Sequence, residues 1–150
     1  MKLSVRIKEF YEDRTKTFLM RKMITIIRLD GKGFSKLTKN LNKPFDEGFS
    51  DDMNASAVYL CENIQGAKFA YTQSDEISVV LTDTDTLETD AWFDYNVQKM
   101  VSVSASLATG KFNQLRLFRE KNNPDYKLAA FDARVFQVPN IDEMVNAMIQ

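Results

Sequence analysis

A hairpin in the middle of the chain restricts the fold more than any other feature. In KFAYTQSDEISVVLTD, Lys68–Asp83, two strand-like runs are joined by a polar turn, Gln73–Glu76. Helical periodicity lies on both sides of this hairpin, and a further strand-like run lies outside each helix. The flanking segments are Met23–Asp30 (strand), Phe45–Ile64 (helix), about 90–118 (helix) and 129–138 (strand). The order strand, helix, strand, strand, helix, strand is typical of a split βαβ, or ferredoxin-like, sheet.

The predicted fold class is therefore α+β, a ferredoxin-like split βαβ domain with an added N-terminal helix near residues 4–16. The length of 150 residues suits a single domain, 1–150. Asp46 is a predicted N-cap of the helix before the hairpin, and Asn140 is a predicted N-cap of a last helix. The stripe of large apolar residues that includes Trp92 and Met100 is expected to pack the long helix on the sheet.

The predicted topology brings two acids to one edge of the sheet. A right-handed crossover makes the first and second strands parallel, so their C-terminal ends lie at the same edge. Asp30 ends the first strand, and Asp75 ends the second at the hairpin. The third strand is expected between them, antiparallel to both.

Two carboxylates that meet in this way repel each other unless a cation lies between them. The chain has no His and a single Cys, Cys61, which excludes Ser-His-Asp and Cys-His catalysis and His-ligated zinc. A metal site must then be built from oxygen, and oxygen ligands favour Mg²⁺, Mn²⁺ or Ca²⁺. The carbonyl of Gly31 is a further candidate ligand.

The segment DGKGF, Asp30–Phe34, is expected to bind phosphate, because its glycines leave backbone N–H groups open. The net charge of −1 provides no global basic field, so a polyanion must be met by local cations. The nearby cations predicted to neutralise a triphosphate are Lys32, Lys36, Lys39 and Lys43. Two metals held by shared aspartates, with a triphosphate bridging them, is the arrangement that polymerases use.

The chain shows no sign of export or membrane insertion. No apolar run approaches the ~18 residues that a spanning helix needs, and the charged start lacks a signal-peptide core. A single cysteine excludes an intrachain disulfide and fits a reducing compartment. A cytoplasmic location without a membrane partner is expected.

Several motifs together resemble the tRNA-His guanylyltransferase family, including its guanylyltransferase-like 3′-5′ polymerases. In chain order they are FYEDRTKTFLMRKM, RLDGKGFSKLT, KPFDEGF, YTQSDEISVV, KMVSVSASLATGKF and AFDARVF. The resemblance implies a polymerase/cyclase-type palm domain with two Mg²⁺ ions, or Mn²⁺ as a substitute. It implies addition of GMP to the 5′ end of tRNA, the reverse of normal polymerase direction, with GTP and ATP as substrates. It also implies a homo-oligomer, a dimer or a tetramer.

The same resemblance implies roles for individual residues. Asp30 and Asp75 would hold both metals, with the Gly31 carbonyl on the triphosphate metal, and Glu76 would complete the acidic motif. The nucleotide site would comprise Asp30, Gly31, Lys32, Gly33, Phe34, Lys43, Ser74, Asp75 and Lys99. Lys43 falls where the family has a lysine that activates the tRNA end, and Lys99 matches a basic residue that meets triphosphate. The basic position next to Lys99 is missing, with Asn96 near it.

The family continues past the last helix into a segment rich in His and Asn that supports tRNA activation, whereas this sequence ends at Gln150. We expect a truncated product, a minimal relative or a fragment, with an intact nucleotide-metal site and impaired activity on tRNA. Two other functions fit the same residues. One is a palm-type nucleotide cyclase or signalling-nucleotide synthase. The other is a non-catalytic module that binds RNA or mimics the palm, for which Phe69, Tyr71 and Phe131 are candidate aromatic contacts.

Overall fold

The computed structural model describes residues 1–43 and 45–150, and Pro44 of the KPFDEGF motif lies outside them. The helices are α1 Leu3–Phe10, α2 Phe34–Leu37, α3 Glu47–Asn63, α4 Val97–Glu120 and α5 Ile141–Ile149. The strands are β1 Ile24–Gly31, β2 Ala67–Gln73, β3 Glu76–Leu81 and β4 Phe131–Val138. Short 3₁₀ turns cover Glu12–Thr15 and Trp92–Tyr95. No helix of the described ranges combines the length and apolarity that a bilayer crossing requires.

The four strands form one sheet in the order β2-β3-β1-β4, and every neighbouring pair is antiparallel. This is the ferredoxin-like order, with β3 inserted between β1 and β2, so the predicted α+β fold is confirmed. In the β1 register, Asp30 lies opposite Glu76 of β3 on one side and Asp132 of β4 on the other. The C-terminal end of β1 and the β2–β3 turn therefore lie at the same edge of the sheet.

Alternation along β1 separates two faces of the sheet. Ile27 and Leu29 belong to the hydrophobic core, which α3 and α4 cover with Met53 and Phe112 among others. Residues of the opposite parity, Arg28 and Asp30, point to the other face because successive strand side chains alternate. The backbone of α5 reaches this second face, where the guanidinium of Arg28 donates to the carbonyl of Ala147. α3 and α4 thus pack on one face, and the acids of the sheet edge belong to the other face, which α5 also reaches.

Both predicted helix caps are confirmed. The Asp46 carboxylate accepts a hydrogen bond from the Phe49 N–H at 2.9 Å, and the Asn140 side chain accepts from the Glu143 N–H at 2.9 Å. Each cap satisfies one of the N–H groups that the first turn of a helix leaves without a partner.

The long helix begins later than its sequence pattern predicts. α4 starts at Val97 rather than near residue 90, because three consecutive residues adopt left-handed backbone angles, Phe93 (φ 51°), Asp94 (φ 52°) and Tyr95 (φ 57°). L-residues avoid this region, so the turn must be held by its surroundings. Arg21 pairs with the Asp94 carboxylate at 3.1 Å, and the Tyr95 hydroxyl donates to Asp83 at 3.2 Å.

Candidate active site at the sheet edge

A main-chain hydrogen bond ties the end of β1 to the β2–β3 turn. The Gly31 N–H donates to the carbonyl of Asp75 at 3.0 Å. The turn itself consists of Ser74 and Asp75, between the paired residues Gln73 and Glu76. Ser74 is in the left-handed region at φ 54°, a conformation that favours glycine. The structure thus brings Asp30 and Asp75 together at one edge, as the topology predicts.

The charges at this edge act directly on Asp30. Burial raises the pKa of the Asp30 carboxyl, and the nearby carboxylates of Asp75 and Asp132 raise it further. Arg134 and the Gly31 N–H act in the opposite direction without cancelling the shift. The Asp75 carboxylate is therefore close enough to disfavour the charged form of Asp30, and a cation between the two would relieve this.

Two arginines partly balance the acids. Arg134 Nη2 lies 3.7 Å from Asp30 Oδ2, and Arg28 Nε lies 3.3 Å from Glu76 Oε1. Glu76, predicted as part of the acidic motif, thus has an ion-pair partner of its own. Sequence reasoning missed Asp132 and Arg134 as neighbours of Asp30. The signal was present, since positions 132 and 134 share one face of a strand that the predicted topology places next to β1.

The donors at this edge fit a hard divalent cation. Within residues 1–43 and 45–150, no cluster of three or more His, Cys, Asp or Glu side chains is placed to hold a metal. A site here would depend on the carboxylates of Asp30 and Asp75, together with a backbone carbonyl such as that of Gly31. All these donors are oxygen atoms, and the mutual repulsion of the two carboxylates is the condition that Mg²⁺ or Mn²⁺ would remove.

The DGKGF segment differs from its predicted state. The Gly31 N–H is bonded to Asp75, and the Lys32 N–H donates to the carbonyl of Ala130 at 2.8 Å, so neither is open to a phosphate. The Phe34 side chain lies in the core, where its ring centroid is 5.1 Å from that of Phe131. Phe34 can therefore contribute to a nucleotide site only through its backbone. A Cβ at Gly31 would lie 2.5 Å from the Phe34 ring, so only glycine fits there.

Three of the four predicted phosphate-binding lysines line two different cavities. The first, of about 460 Å³, lies between α3 and the end of β2, and its lining includes Lys43 and Ser74. The second, of about 780 Å³, lies beside α2 and the end of α4, and its lining includes Lys32, Gly33 and Lys36. Lys39 lines neither cavity, and Leu41 lines both. The four lysines therefore do not line one common cavity.

Lys99 does not join this site. It lies in the first turn of α4, which follows the bridge between Phe18 and Asn96, and its ammonium lies 5.4 Å from the Phe93 ring centroid. Thr109 of α4 lies beside the end of β1. Its hydroxyl accepts a hydrogen bond from the N–H of Phe131, the β4 residue that pairs with Gly31. Ten helical residues separate Thr109 from Lys99, about 15 Å at 1.5 Å per residue. The contact of Lys99 with the nucleotide stays a prediction.

The sheet order, the packing of α3 and α4 on one face and the acids at the end of β1 define a palm-like α+β domain. A family model described as tRNAHis guanylyltransferase (Thg1) matches residues 4–139, and the chain belongs to this family. The resemblance found in the sequence motifs is thereby confirmed.

Individual relatives agree with this placement. The chain is 33% identical over 127 residues to the tRNA(His) guanylyltransferase of Schizosaccharomyces pombe, covering 82% of the chain and 46% of that protein. It is 42% identical to a bacterial Thg1-like protein whose structure was solved in complex with GTP, with a TM-score of 0.88 over 97% of the chain and 68% of that structure. It is also 42% identical to a bacterial Thg1-like protein whose structure was solved in complex with ATP, with a TM-score of 0.87 over 97% of the chain and 63% of that structure. The chain spans about half the length of the curated relatives it matches.

Proposed function

We propose that this chain is the nucleotide-binding and catalytic part of a tRNA(His) guanylyltransferase-type enzyme, which adds GMP to the 5′ end of tRNA from GTP and ATP. The observation that carries the proposal is the meeting of Asp30 and Asp75 through the Gly31–Asp75 hydrogen bond, next to the cavity lined by Ser74 and Lys43. Family membership and the GTP and ATP complexes of the bacterial neighbours support it.

We propose that Asp30, Asp75 and the Gly31 carbonyl hold two Mg²⁺ ions, or Mn²⁺ in their place. When bound, such ions supply positive charge to phosphoryl oxygens and lower the pKa of an attacking hydroxyl. The raised pKa of Asp30 supports this assignment, because the charge of Asp75 that causes part of it is the charge a cation would balance.

The proposed reaction reverses the usual roles of the nucleotide and the chain. The 3′ oxygen of the incoming nucleotide attacks the 5′ phosphorus of the RNA, and a new phosphodiester bond forms as the bond to the leaving group breaks. Pyrophosphate leaves from a 5′-triphosphate, and AMP leaves from a 5′ end adenylylated by ATP. The added guanosine still carries its own 5′-triphosphate, and hydrolysis that releases pyrophosphate from it would leave GMP at the new 5′ end. Ser74 and Lys43 line the cavity beside the acids, where a hydroxyl and an ammonium group would orient the nucleotide and stabilise charge on phosphoryl oxygens.

Mg²⁺-dependent binding of GTP and ATP to the intact chain tests the proposal most directly. The wild type should bind both nucleotides with Mg²⁺ and lose affinity when it is chelated, whereas Asp75→Asn should bind weakly in both conditions. Asp90→Asn, an exposed acid in the loop before the left-handed turn, is the matched control and should behave as the wild type. Equal affinity of wild type and Asp75→Asn would overturn the proposal. Transfer of labelled GMP to tRNA then measures the reaction itself.

The two alternative functions have distinct outcomes in these assays. A nucleotide cyclase or signalling-nucleotide synthase would share the acids and release a soluble product without tRNA. A non-catalytic RNA-binding module would bind RNA without Mg²⁺-dependent nucleotide binding. Its aromatic contacts would be Phe69 and Tyr71, which are 40% and 44% exposed on β2, whereas Phe131 is buried. A cytoplasmic location stays a prediction of the composition, and assembly into dimers or tetramers stays a prediction of the resemblance.

A further inference from the structure

The cavity of about 780 Å³ beside α2 has an excess of positive charge. Three exposed lysines line it, Lys32, Lys36 and Lys127. None of them forms an ion pair with a carboxylate in the part of the chain that the structure describes. The two acids in the lining are Glu120, which Arg116 holds at 3.0 Å, and Asp125. Three ammonium groups thus face one carboxylate without a cationic partner of its own, so the cavity attracts anions.

The wall that carries Lys127 is fixed by buried polar contacts. Arg116 is buried, donates to the carbonyl of Lys127 at 3.1 Å and lies 4.8 Å from the ring centroid of Tyr126. The Asn113 side chain bonds both the carbonyl and the N–H of Ala129, each at 2.8 Å. These contacts hold the backbone in place while the lysine side chains stay free to follow a ligand. Lysine side chains on a rigid backbone are suited to binding phosphates, because an ammonium group acts as a point charge on a flexible stem.

The position of the cavity separates it from the predicted nucleotide site. Lys32 follows Asp30 and Gly31 directly, and its N–H is bonded to Ala130, just before β4. The cavity therefore flanks the acids on the β4 side, whereas the cavity with Lys43 and Ser74 lies beside the β2–β3 turn. A strand whose end reacts at the acids would have room for its following phosphates here.

We infer that Lys36 and Lys127 bind backbone phosphates of the RNA substrate next to its reacting end, separately from the incoming nucleotide. This inference rests on the proposed function, since it takes RNA as the second substrate. It adds a second phosphate-binding surface on the chain, with charge rather than base identity as its basis of recognition. Contacts of this kind weaken uniformly with salt and are independent of sequence.

The test measures binding of a 5′-triphosphorylated tRNA transcript to the intact chain between about 50 and 200 mM salt, a range over which binding through phosphate contacts weakens steeply. Lys36→Ala and Lys127→Ala should each lower the slope of log affinity against log salt by about one, and the double variant by about two. GTP affinity should not change. The matched control is Lys111→Ala, a half-buried lysine of α4 outside the cavity, whose ammonium lies 5.4 Å from the Tyr59 ring centroid.

Three results would overturn the inference. Unchanged salt slopes in the double variant would show that these lysines do not meet RNA. A parallel fall in GTP affinity would assign the bound phosphates to the nucleotide. Absence of tRNA binding by the wild type would remove the ligand altogether. Failure of the proposed function is a different outcome: the slopes would change as expected while Mg²⁺-dependent GTP binding was missing or was insensitive to Asp75→Asn.

Discussion

The Gly31 N–H donates to the carbonyl of Asp75 across 3.0 Å, so a single main-chain hydrogen bond fixes the end of β1 against the hairpin turn. Two acids distant in sequence owe their proximity to this contact and to the β1–β3 ladder beside it. This position also requires glycine, because the Phe34 ring packs against the Cα of Gly31 and leaves no room for a Cβ.

Gly31→Ala should disturb both the fold and the site. The added Cβ would lie 2.5 Å from the buried Phe34 ring, an overpacking that costs about 1–3 kcal/mol. Urea unfolding should show this loss, and Mg²⁺-dependent GTP affinity should fall with it because β1 shifts relative to the turn. Gly110→Ala in α4 is the control: no atom lies within 4 Å of its added Cβ, and we expect a gain of about 0.5–1 kcal/mol. A neutral effect of Gly31→Ala on stability would contradict the packing described here.

Asp30→Asn should have opposite effects on stability with and without Mg²⁺. Without the metal, the charged form of the Asp30 carboxyl is disfavoured by burial and by the carboxylates of Asp75 and Asp132. Because the substitution removes this charge, the melting temperature should be unchanged or higher. With Mg²⁺, the wild type should gain melting temperature by binding the ion, and the variant should not. Thermal unfolding across a Mg²⁺ titration measures both. If Mg²⁺ raised the melting temperature of the variant as much as that of the wild type, Asp30 would not be a ligand of the metal.

Two substitutions of Ser74 should separate the effect of backbone strain on stability from the effect of the hydroxyl on nucleotide binding. Its φ of 54° costs an L-residue about 1 kcal/mol, which Ser74→Gly should return as stability. Ser74→Ala keeps the strain and removes the same hydroxyl. Both variants should bind GTP more weakly than the wild type, but only the glycine variant should melt at a higher temperature. If GTP affinity is unaffected in both, the hydroxyl does not contact the nucleotide.

Lys43→Ala should distinguish the two chemical steps. A 5′-monophosphate must first be activated by ATP, whereas a 5′-triphosphate already carries its leaving group. Because the resemblance assigns Lys43 to activation, the variant should lose addition to monophosphorylated tRNA more strongly than addition to triphosphorylated tRNA. Single-turnover rates on the two transcripts give the ratio. Equal losses would assign Lys43 to nucleotide binding in both steps, as its place in the Ser74 cavity also allows.

Asp83, at the opposite edge of the sheet, should make the free energy of unfolding depend on pH in the acid range. Its side chain is fully buried and accepts from Arg21 Nε at 2.7 Å and from the Lys22 N–H at 2.8 Å. Burial alone would raise the pKa of Asp83, but these hydrogen bonds and that of Tyr95 outweigh it and hold the pKa below its ordinary value. The stability it contributes is complete above the unfolded pKa, near 4, and is lost as pH falls through the lower folded pKa.

Asp83→Asn should therefore cost about 2 kcal/mol at neutral pH, the range for hydrogen bonds to a charged group, and less at low pH. Urea unfolding at neutral pH and below about pH 4 measures the difference. Asp85→Asn, which removes an exposed ion pair with Lys68, is the control and should cost less than about 1 kcal/mol at either pH. A cost for Asp83→Asn that does not change with pH would show that the carboxylate is not the group that titrates.

Local pattern was sufficient for the type and order of the main strands and helices, for the sheet order and for the position of the two acids. Strand and helix periodicities depend on residues close in sequence, and few topologies accommodate their order, so the convergence of Asp30 and Asp75 followed from handedness alone. The caps at Asp46 and Asn140 were equally readable, because a cap bonds a backbone N–H three residues away.

Tertiary structure decided how the remaining site residues are arranged. The pairing of Arg134 with Asp30 depends on the β1–β4 register, and the separation of Lys43 from Lys36 depends on how residues 38–43 pack after α2. The left-handed turn at Phe93–Tyr95 breaks a continuous helical pattern because partners far along the chain, Arg21 and Asp83 among them, hold it. Contacts between distant segments set these features, and no local periodicity encodes which distant segment a side chain will meet.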